Sequence, residues 1–223
     1  MTTTELRRTW WHKSRTATIS ELVADGVVHG VGLATALVLG TLIIVFQALE
    51  AAHHLPPLIV YLGSLVAVLA ISLAYNLLPL SPAKMTMARL DQAAIFLFIA
   101  GTYTPFLAAL GDTPSGTWLT ALVWGASLVG VALKLIVPDR FGRMAIALYL
   151  AIGWSGVLVF GTLAAVLPPA TLWLTVAGGV AYSAGIIFHL WERLKYHSAL
   201  WHAFVVAGAT LHLVAILVMT LNR

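Results

Sequence analysis

The fold is decided by residues 144–191, which read MAIALYLAIGWSGVLVFGTLAAVLPPATLWLTVAGGVAYSAGIIFHLW and contain no Asp, Glu, Lys or Arg. A helix that crosses the ~30 Å hydrocarbon layer of a membrane needs about 20 apolar residues, because each residue advances the helix by ~1.5 Å. The stretch is therefore long enough for two crossings. Pro168 and Pro169 divide it, because proline removes a helix hydrogen-bond donor and disfavours helix at the preceding residue.

Similar windows without charged side chains occur along the rest of the chain. The predicted spans lie near residues 26–49, 58–79, 92–111, 116–136, 144–166, 171–190 and 202–221. Hydrophobic residues make up 61% of the chain and charged residues 9%, so a water-facing surface of ordinary charge density cannot be built from it. We predict an all-α membrane protein, a bundle of seven transmembrane helices, with residues 1–25 as a basic cytoplasmic tail and 26–223 as one domain.

The positions of Lys and Arg predict the orientation of this bundle. All but one of the twelve lie before the first span, at the end of the fourth span or in the segments after the second, fourth and sixth, and the exception is Arg223. Short cytoplasmic segments are enriched in these residues, so the N-terminus is expected inside and the C-terminus outside a bacterial inner membrane. This scattered arrangement favours membrane lipids as partners over nucleic acid and leaves the oligomeric state open.

Polar side chains from four spans are predicted to share one depth near the cytosolic face. They are His29, Ser72, Asn76, Asp91 and His202. Polar groups in a membrane are costly and usually face the bundle interior, where they either link helices or form a working site. Ser72 and Asn76 are four residues apart and share a helix face, as do Ser198 and His202 if the seventh helix begins a turn early.

Other features of the spans predict packing. Pro105 follows Gly101-Thr102-Tyr103-Thr104 in the third span and predicts a kink or a locally widened cavity there. Small residues predict close helix contacts at Gly26, Gly30, Gly32 and Gly178-Gly179. His212, ten residues into the seventh span, needs a polar partner at that depth.

Five motifs spread over most of the chain form a recognisable set. They are Glu21-x7-His29-Gly30, Ser72-x2-Tyr75, Leu90-Asp91 followed by Ala100-Gly101-Thr102-Tyr103-Thr104-Pro105, Leu148-Tyr149-x3-Gly153-Trp154, and Trp201-His202-x-Phe204-Val205 with Gly208 and His212. Together they resemble the hemolysin III family, the bacterial relatives of the progestin and adipoQ receptors.

The resemblance implies a zinc ion near the cytosolic face, bound by a histidine of the second helix and a histidine pair at the seventh. In this chain Asn76 and Ser198 stand where two of those histidines are expected, and only His202 is in place. The chain also has no cysteine, so any metal must bind through N or O ligands. Three alternatives stay open: zinc held by an altered set, His202, His29 and Asp91; a set that His197 joins if the start of the last helix is irregular; or a family fold that has lost its metal.

Three functions are consistent with these features. The degraded ligand set favours a non-enzymatic sensor or regulator of lipid and membrane homeostasis, whose inner-face histidines titrate near neutral pH. The enzyme alternative is a zinc-dependent lipid amide hydrolase, with Asp91 as general base or ligand-orienting group and Ser72 as its hydrogen-bonding partner in catalysis. The third alternative is the cytolysin that the family name suggests. Whether the protein is an enzyme is left open by the sequence.

Overall fold

A computed structural model describes residues 17–50, 55–137 and 142–222 of the chain, apart from the side chains of 50, 142 and 143. Within these ranges the regular structure is helical. The α-helices are α1 (Ile19–Glu50), α2 (Leu55–Leu77), α3 (Pro82–Ala109), α4 (Pro114–Ile136), α5 (Gly142–Gly153), α6 (Phe160–Val166), α7 (Pro169–Leu190) and α8 (His197–Leu221). A 3-10 turn at Ser155–Val159 joins α5 to α6.

Seven helical segments of the described chain are long and apolar enough to cross a membrane, which confirms the predicted number. The fifth consists of α5, the 3-10 turn and α6, and the sixth and seventh are α7 and α8. The division at Pro168 and Pro169 is also confirmed, since α6 ends at Val166 and α7 begins at Pro169.

Three helices begin well before the predicted spans. The first helix starts at Ile19 rather than near residue 26, the third at Pro82 rather than near residue 92, and the last at His197 rather than near residue 202. Residues 1–16 of the predicted tail lie outside the described residues, whereas 19–25 belong to α1. The extra turns matter because they carry polar side chains into the bundle.

The bundle is closed by contacts between its first and last helices. The third helix lies between α2 and α4, and α8 lies between α1 and α7. At Gly101 the α2 and α3 backbones come so close that a Cβ atom would lie 2.8 Å from Cβ of Ser64. Gly32 and Gly178 are in similarly close contacts, as predicted. At Gly26 and Gly30 the prediction of close packing is wrong, because a Cβ there would have no neighbour within 4 Å.

The helix interruption occurs in the fifth span and not at Pro105, through which α3 continues. After Gly153 the chain leaves the α-helix for the 3-10 turn, which exposes backbone hydrogen-bonding groups. The Tyr103 hydroxyl donates to the carbonyl oxygen of Gly153 (2.7 Å) and accepts from the N–H of Gly156 (2.8 Å). A side chain of the third span therefore satisfies backbone groups that the broken helix cannot.

Candidate metal centre

A polar stripe on α1 faces the beginning of α8. Glu21, Asp25 and His29 follow one another at four-residue intervals, so they lie on one face of the helix. All three are buried, with exposed fractions of 7%, 3% and 0%. Charged and polar groups at such burial need partners, and Glu21 and Asp25 find partners in Tyr196 and in the first turns of α8.

Glu21 holds the segment that leads into α8. One carboxylate oxygen, Oε1, accepts a hydrogen bond from the backbone N–H of Tyr196 (3.1 Å), and the other, Oε2, accepts from the N–H and the hydroxyl of Thr18 (2.9 and 2.8 Å). Tyr196 precedes α8 with a left-handed backbone, at φ 62°. That conformation is unfavourable for a non-glycine residue. The hydrogen bond that Tyr196 donates to Glu21 stabilises it and so helps to fix where α8 begins.

Asp25 is the carboxylate on which two α8 side chains converge. Its Oδ1 lies 2.6 Å from Nδ1 of His202 and accepts a hydrogen bond from the hydroxyl of Ser198 (3.3 Å). A neutral His202 ring therefore carries its proton on Nδ1, which leaves Nε2 as a lone-pair donor. Nε2 lies 3.2 Å from the hydroxyl oxygen of Ser72 on α2.

His29 completes the cluster from one turn further along α1. Its Nδ1 bonds to the backbone carbonyl oxygen of Asp25 (2.9 Å), so the proton of the neutral ring sits on Nδ1. The His29 and His202 ring centroids are 4.3 Å apart. Among the described residues, neither Nε2 of His29 nor Oδ2 of Asp25 has a hydrogen-bond partner, although both atoms are buried.

These three side chains have the composition and spacing of a metal site. One ligand atom from each of Asp25, His29 and His202 lies within 4.8 Å of the others. Two imidazoles and one carboxylate are a ligand set that zinc enzymes use, and it also suits Fe²⁺. A buried polar atom without a partner is costly, and a bound cation would pair both orphaned atoms at once. The buried group could therefore bind a metal ion.

The predicted ligands come together in part. His29 and His202 are both in the cluster, but the third donor within the 4.8 Å group is Asp25 and not Asp91. Asp91 lies on α3, and the Ser72 hydroxyl is in hydrogen-bonding reach of its carboxylate. Ser72 is thus within reach of both His202 and Asp91, and the catalytic roles assigned to Ser72 and Asp91 stay predictions.

The zinc ligand positions implied by the family resemblance are used differently. The side-chain amide nitrogen of Asn76 donates to the Ser72 carbonyl of its own helix (2.9 Å), and the Ser198 hydroxyl donates to Asp25. Both groups act as hydrogen-bond donors in these contacts. Zinc fits the orphaned atoms of Asp25 and His29 better than it fits positions 76 and 198.

Asp25 was missed in the sequence because it lies just outside the first charge-free window. It precedes His29 by four residues, and this spacing would have placed both on one helix face. The spacing does not show which neighbouring helix that face contacts. Only the packing of α1 against α8 turns it toward His202.

An apolar cavity begins about one helical turn from this cluster. Val68 precedes Ser72 by four residues, Ile95 follows Asp91 by four, and both line the cavity together with Val205. The empty volume is about 1380 Å³, including the space at its open side. Its lining includes the interrupted fifth span, where Val157 and Phe160 are 60% and 43% exposed.

The fold and this site together define a class of protein: a seven-helix membrane bundle with a buried histidine–carboxylate cluster beside an apolar cavity. Residues 18–213 match the family model described as Haemolysin-III related. The chain is 31% identical to the Hemolysin-3 homolog of Bacillus subtilis (strain 168), over 86% of this chain and 91% of the relative. It therefore belongs to the haemolysin III family.

Two further relatives agree with this assignment. Hemolysin-3 of Bacillus cereus is 30% identical over 86% of this chain and 89% of its own length. The Heptahelical transmembrane protein ADIPOR2 of Oryza sativa subsp. japonica is 31% identical, with 74% of this chain and 82% of the relative covered. The resemblance read from the five motifs is confirmed.

Proposed function

We propose that this protein is a metal-dependent membrane hydrolase of lipid homeostasis, which cleaves an ester or amide bond of a lipid whose acyl chain occupies the apolar cavity. One observation carries the proposal: the cavity walls at Val68, Ile95 and Val205 lead within about one turn of the polar cluster. A lipid with its chain in the cavity would present its carbonyl linkage to Ser72, Asp91 and His202. Apolar pockets with a few convergent polar groups are the usual form of such sites.

The donor set determines what chemistry is available. A divalent ion held by Asp25, His29 and His202 would polarise a carbonyl oxygen and make a nearby water more acidic. The Asp25 carboxylate also holds the His202 ring in one tautomer through the 2.6 Å contact to Nδ1. Such carboxylate–histidine pairs orient a ligand and raise its basicity.

Asp91 is the proposed proton carrier. Its carboxylate would take a proton from water as the oxygen of that water attacks the carbonyl carbon. The same proton would then pass to the departing nitrogen or oxygen as its bond to the carbonyl carbon breaks. The Ser72 hydroxyl has one proton, which it can donate to Nε2 of His202 or, if a metal ion were to take that lone pair, to the Asp91 carboxylate. The products are a fatty acid and an amine or alcohol.

The proposed location is a bacterial inner membrane, with the cluster at the cytoplasmic face. The alternating Lys and Arg segments support this orientation, and the Bacillus relatives support a bacterial cell membrane. The substrate would then come from the membrane itself.

A second candidate is a non-enzymatic sensor or regulator of membrane state. It is favoured by the contacts of Asp25, which receives hydrogen bonds from Ser198 and His202 and so links α1 to α8 without any ion. A lipid in the cavity could shift this link and change the packing of the two helices. The cytolysin alternative rests on the names of the two Bacillus relatives alone.

The test compares lipid cleavage by the wild type and by an Asp91→Asn variant, both reconstituted in bilayer nanodiscs with zinc. Fatty acid released from N-acyl lipids and phospholipids would be measured by mass spectrometry. We expect the variant to keep its zinc and lose roughly 100-fold or more of the activity, as removal of a general base does. Asn76→Ala is the matched control and should keep both its zinc and its activity.

Two results would overturn the hydrolase proposal. One is a zinc-loaded wild type that releases no fatty acid from any lipid in the panel. The other is an Asp91→Asn variant that is as active as the wild type. If the wild type is inactive but lipid binding changes the protection of the α1 and α8 amides from hydrogen exchange, the sensor candidate is supported instead.

A further inference from the structure

A second polar site lies deep in the cavity, at His212. This residue is 5% exposed and lines the cavity from α8. It follows His202 by ten residues on the same helix, so the two side chains are separated by about 15 Å along the helix axis. The sequence predicted that a histidine at this depth needs a polar partner, and one of its two ring nitrogens has one.

The partner is a backbone carbonyl, which fixes the tautomer. Nδ1 of His212 lies 2.8 Å from the carbonyl oxygen of Gly208, and a carbonyl can only accept. In the neutral ring, Nδ1 therefore carries the proton and Nε2 is an acceptor with a free lone pair. The ring stacks on Tyr182 at 5.4 Å and meets the Phe106 ring edge-on at 6.2 Å. Aromatic neighbours offer no counter-charge, so the neutral form is the one that fits this depth.

No described residue donates a hydrogen bond to Nε2 of His212. Three aliphatic hydroxyl groups of the cavity wall already donate elsewhere. Those of Thr102, Thr175 and Ser183 each donate to the backbone carbonyl four residues earlier in the same helix. Tyr182 lines the same cavity, and its buried hydroxyl also has no hydrogen-bond partner in the part of the chain that the structure describes, so the wall offers one unused acceptor, Nε2 of His212, and one unused hydroxyl. Within a membrane an unmatched acceptor is costly, so a ligand that brings a donor is favoured over one that does not.

We infer that the cavity binds a lipid whose acyl chain carries a hydroxyl group, and that this hydroxyl donates to Nε2 of His212. The inference rests on the proposed function, in which the chain of the same lipid lies in the cavity and its polar linkage lies at the cluster. The hydroxyl belongs about 15 Å along the chain from that linkage, because that is the separation of His212 from His202 along α8. A carboxylate would not serve, since it has no proton to donate and would be a buried charge.

The test is equilibrium binding of 12-hydroxystearic acid and stearic acid to the full-length protein in detergent, measured by isothermal titration calorimetry in the presence of a chelator. The chelator prevents turnover, so binding is measured apart from any hydrolysis. One added hydrogen bond predicts that the wild type binds the hydroxylated acid about 3- to 10-fold more tightly. His212→Phe should still bind stearic acid, because a ring remains stacked on Tyr182, but should lose the preference.

Two further variants separate the acceptor from the shape of the site. Thr175→Val removes a cavity hydroxyl that already donates to the carbonyl of Thr171 (2.8 Å), so the preference should survive. His212→Gln places an amide oxygen near the position of Nε2 and should restore part of the preference lost in His212→Phe.

The outcomes distinguish this inference from the function on which it rests. Equal affinity of the wild type for the two acids, or a preference that survives in His212→Phe, overturns the hydroxyl site alone and leaves an acyl-chain cavity. Failure of both acids to bind overturns the occupation of the cavity by an acyl chain, and the hydrolase proposal with it.

Discussion

Replacing Tyr103 by Phe should destabilise the protein more than the loss of one hydroxyl group ordinarily does. The Tyr103 oxygen serves two backbone groups at the break in the fifth span, the Gly153 carbonyl and the Gly156 N–H. A membrane hydrogen bond contributes on average only about 0.6 kcal/mol, but a donor left unpaired away from water costs about 1–3 kcal/mol. We therefore expect a loss of about 1–3 kcal/mol in the free energy of unfolding.

Tyr149→Phe is the matched control for this prediction. This variant also removes a single hydroxyl, which in the wild type donates to the backbone carbonyl of Gln92 (2.7 Å) within the regular helix α3. Because the Tyr149 hydroxyl accepts from no backbone N–H of the described residues, its removal leaves none of these N–H groups unpaired. Its loss should be below about 1 kcal/mol. Reversible unfolding in mixed detergent micelles measures both values, and hydrogen exchange at Gly156 should accelerate only in Tyr103→Phe. Equal losses in the two variants would refute the assignment of Tyr103 to the helix break.

The remaining predictions concern packing and the metal site. Gly101→Ala should lower the free energy of unfolding by about 1–3 kcal/mol, because the new methyl group meets Ser64. Gly63→Ala is the control and should cause no such loss, because a Cβ there has open space. Equal losses in the two variants would contradict the close packing of α2 against α3. Zinc at about 100 times its dissociation constant should stabilise the wild type by about 2.7 kcal/mol in the same unfolding assay, and His29→Gln should abolish this effect. Glu21→Gln should speed hydrogen exchange at the Tyr196 amide, because it weakens the hydrogen bond that this amide donates to Glu21. Unchanged protection of the Tyr196 amide would disprove this role of Glu21.

The number of spans could be predicted from the sequence because insertion into a membrane depends on local composition. Each charge-free window is long enough to satisfy its own backbone hydrogen bonds as a helix, whatever its neighbours do. Helix ends were harder to predict. The first helix extends toward the N-terminus through Asp25 and Glu21, since these side chains are buried near the start of α8 rather than exposed to water.

The candidate site could be predicted only in part for the same reason. The shared depth of His29, Ser72 and His202 follows from their distance to the ends of the spans, and the structure brings these three together. The rotation of each helix about its own axis does not follow from depth. That rotation is what places Asp25 beside His202 and Asp91 within reach of Ser72.

The break in the fifth span shows a second limit. Proline is the usual signal for an interrupted helix, yet α3 continues through Pro105 and the fifth span breaks at Gly153 without any proline. The break is stabilised by Tyr103, which is fifty residues away from Gly153 in sequence. A contact between distant residues leaves no periodic pattern in either helix.

The measurement that tests the central claim most directly is the zinc content of the purified protein, together with X-ray absorption at the zinc edge. The account predicts about one zinc per chain with nitrogen and oxygen ligands. The zinc content should fall more than tenfold in Asp25→Asn, His29→Gln and His202→Gln and should be unchanged in Asn76→Ala. Gel filtration and helix content would show that the variants are folded. Zinc that persists in Asp25→Asn and His29→Gln but is lost in Asn76→Ala would contradict the account.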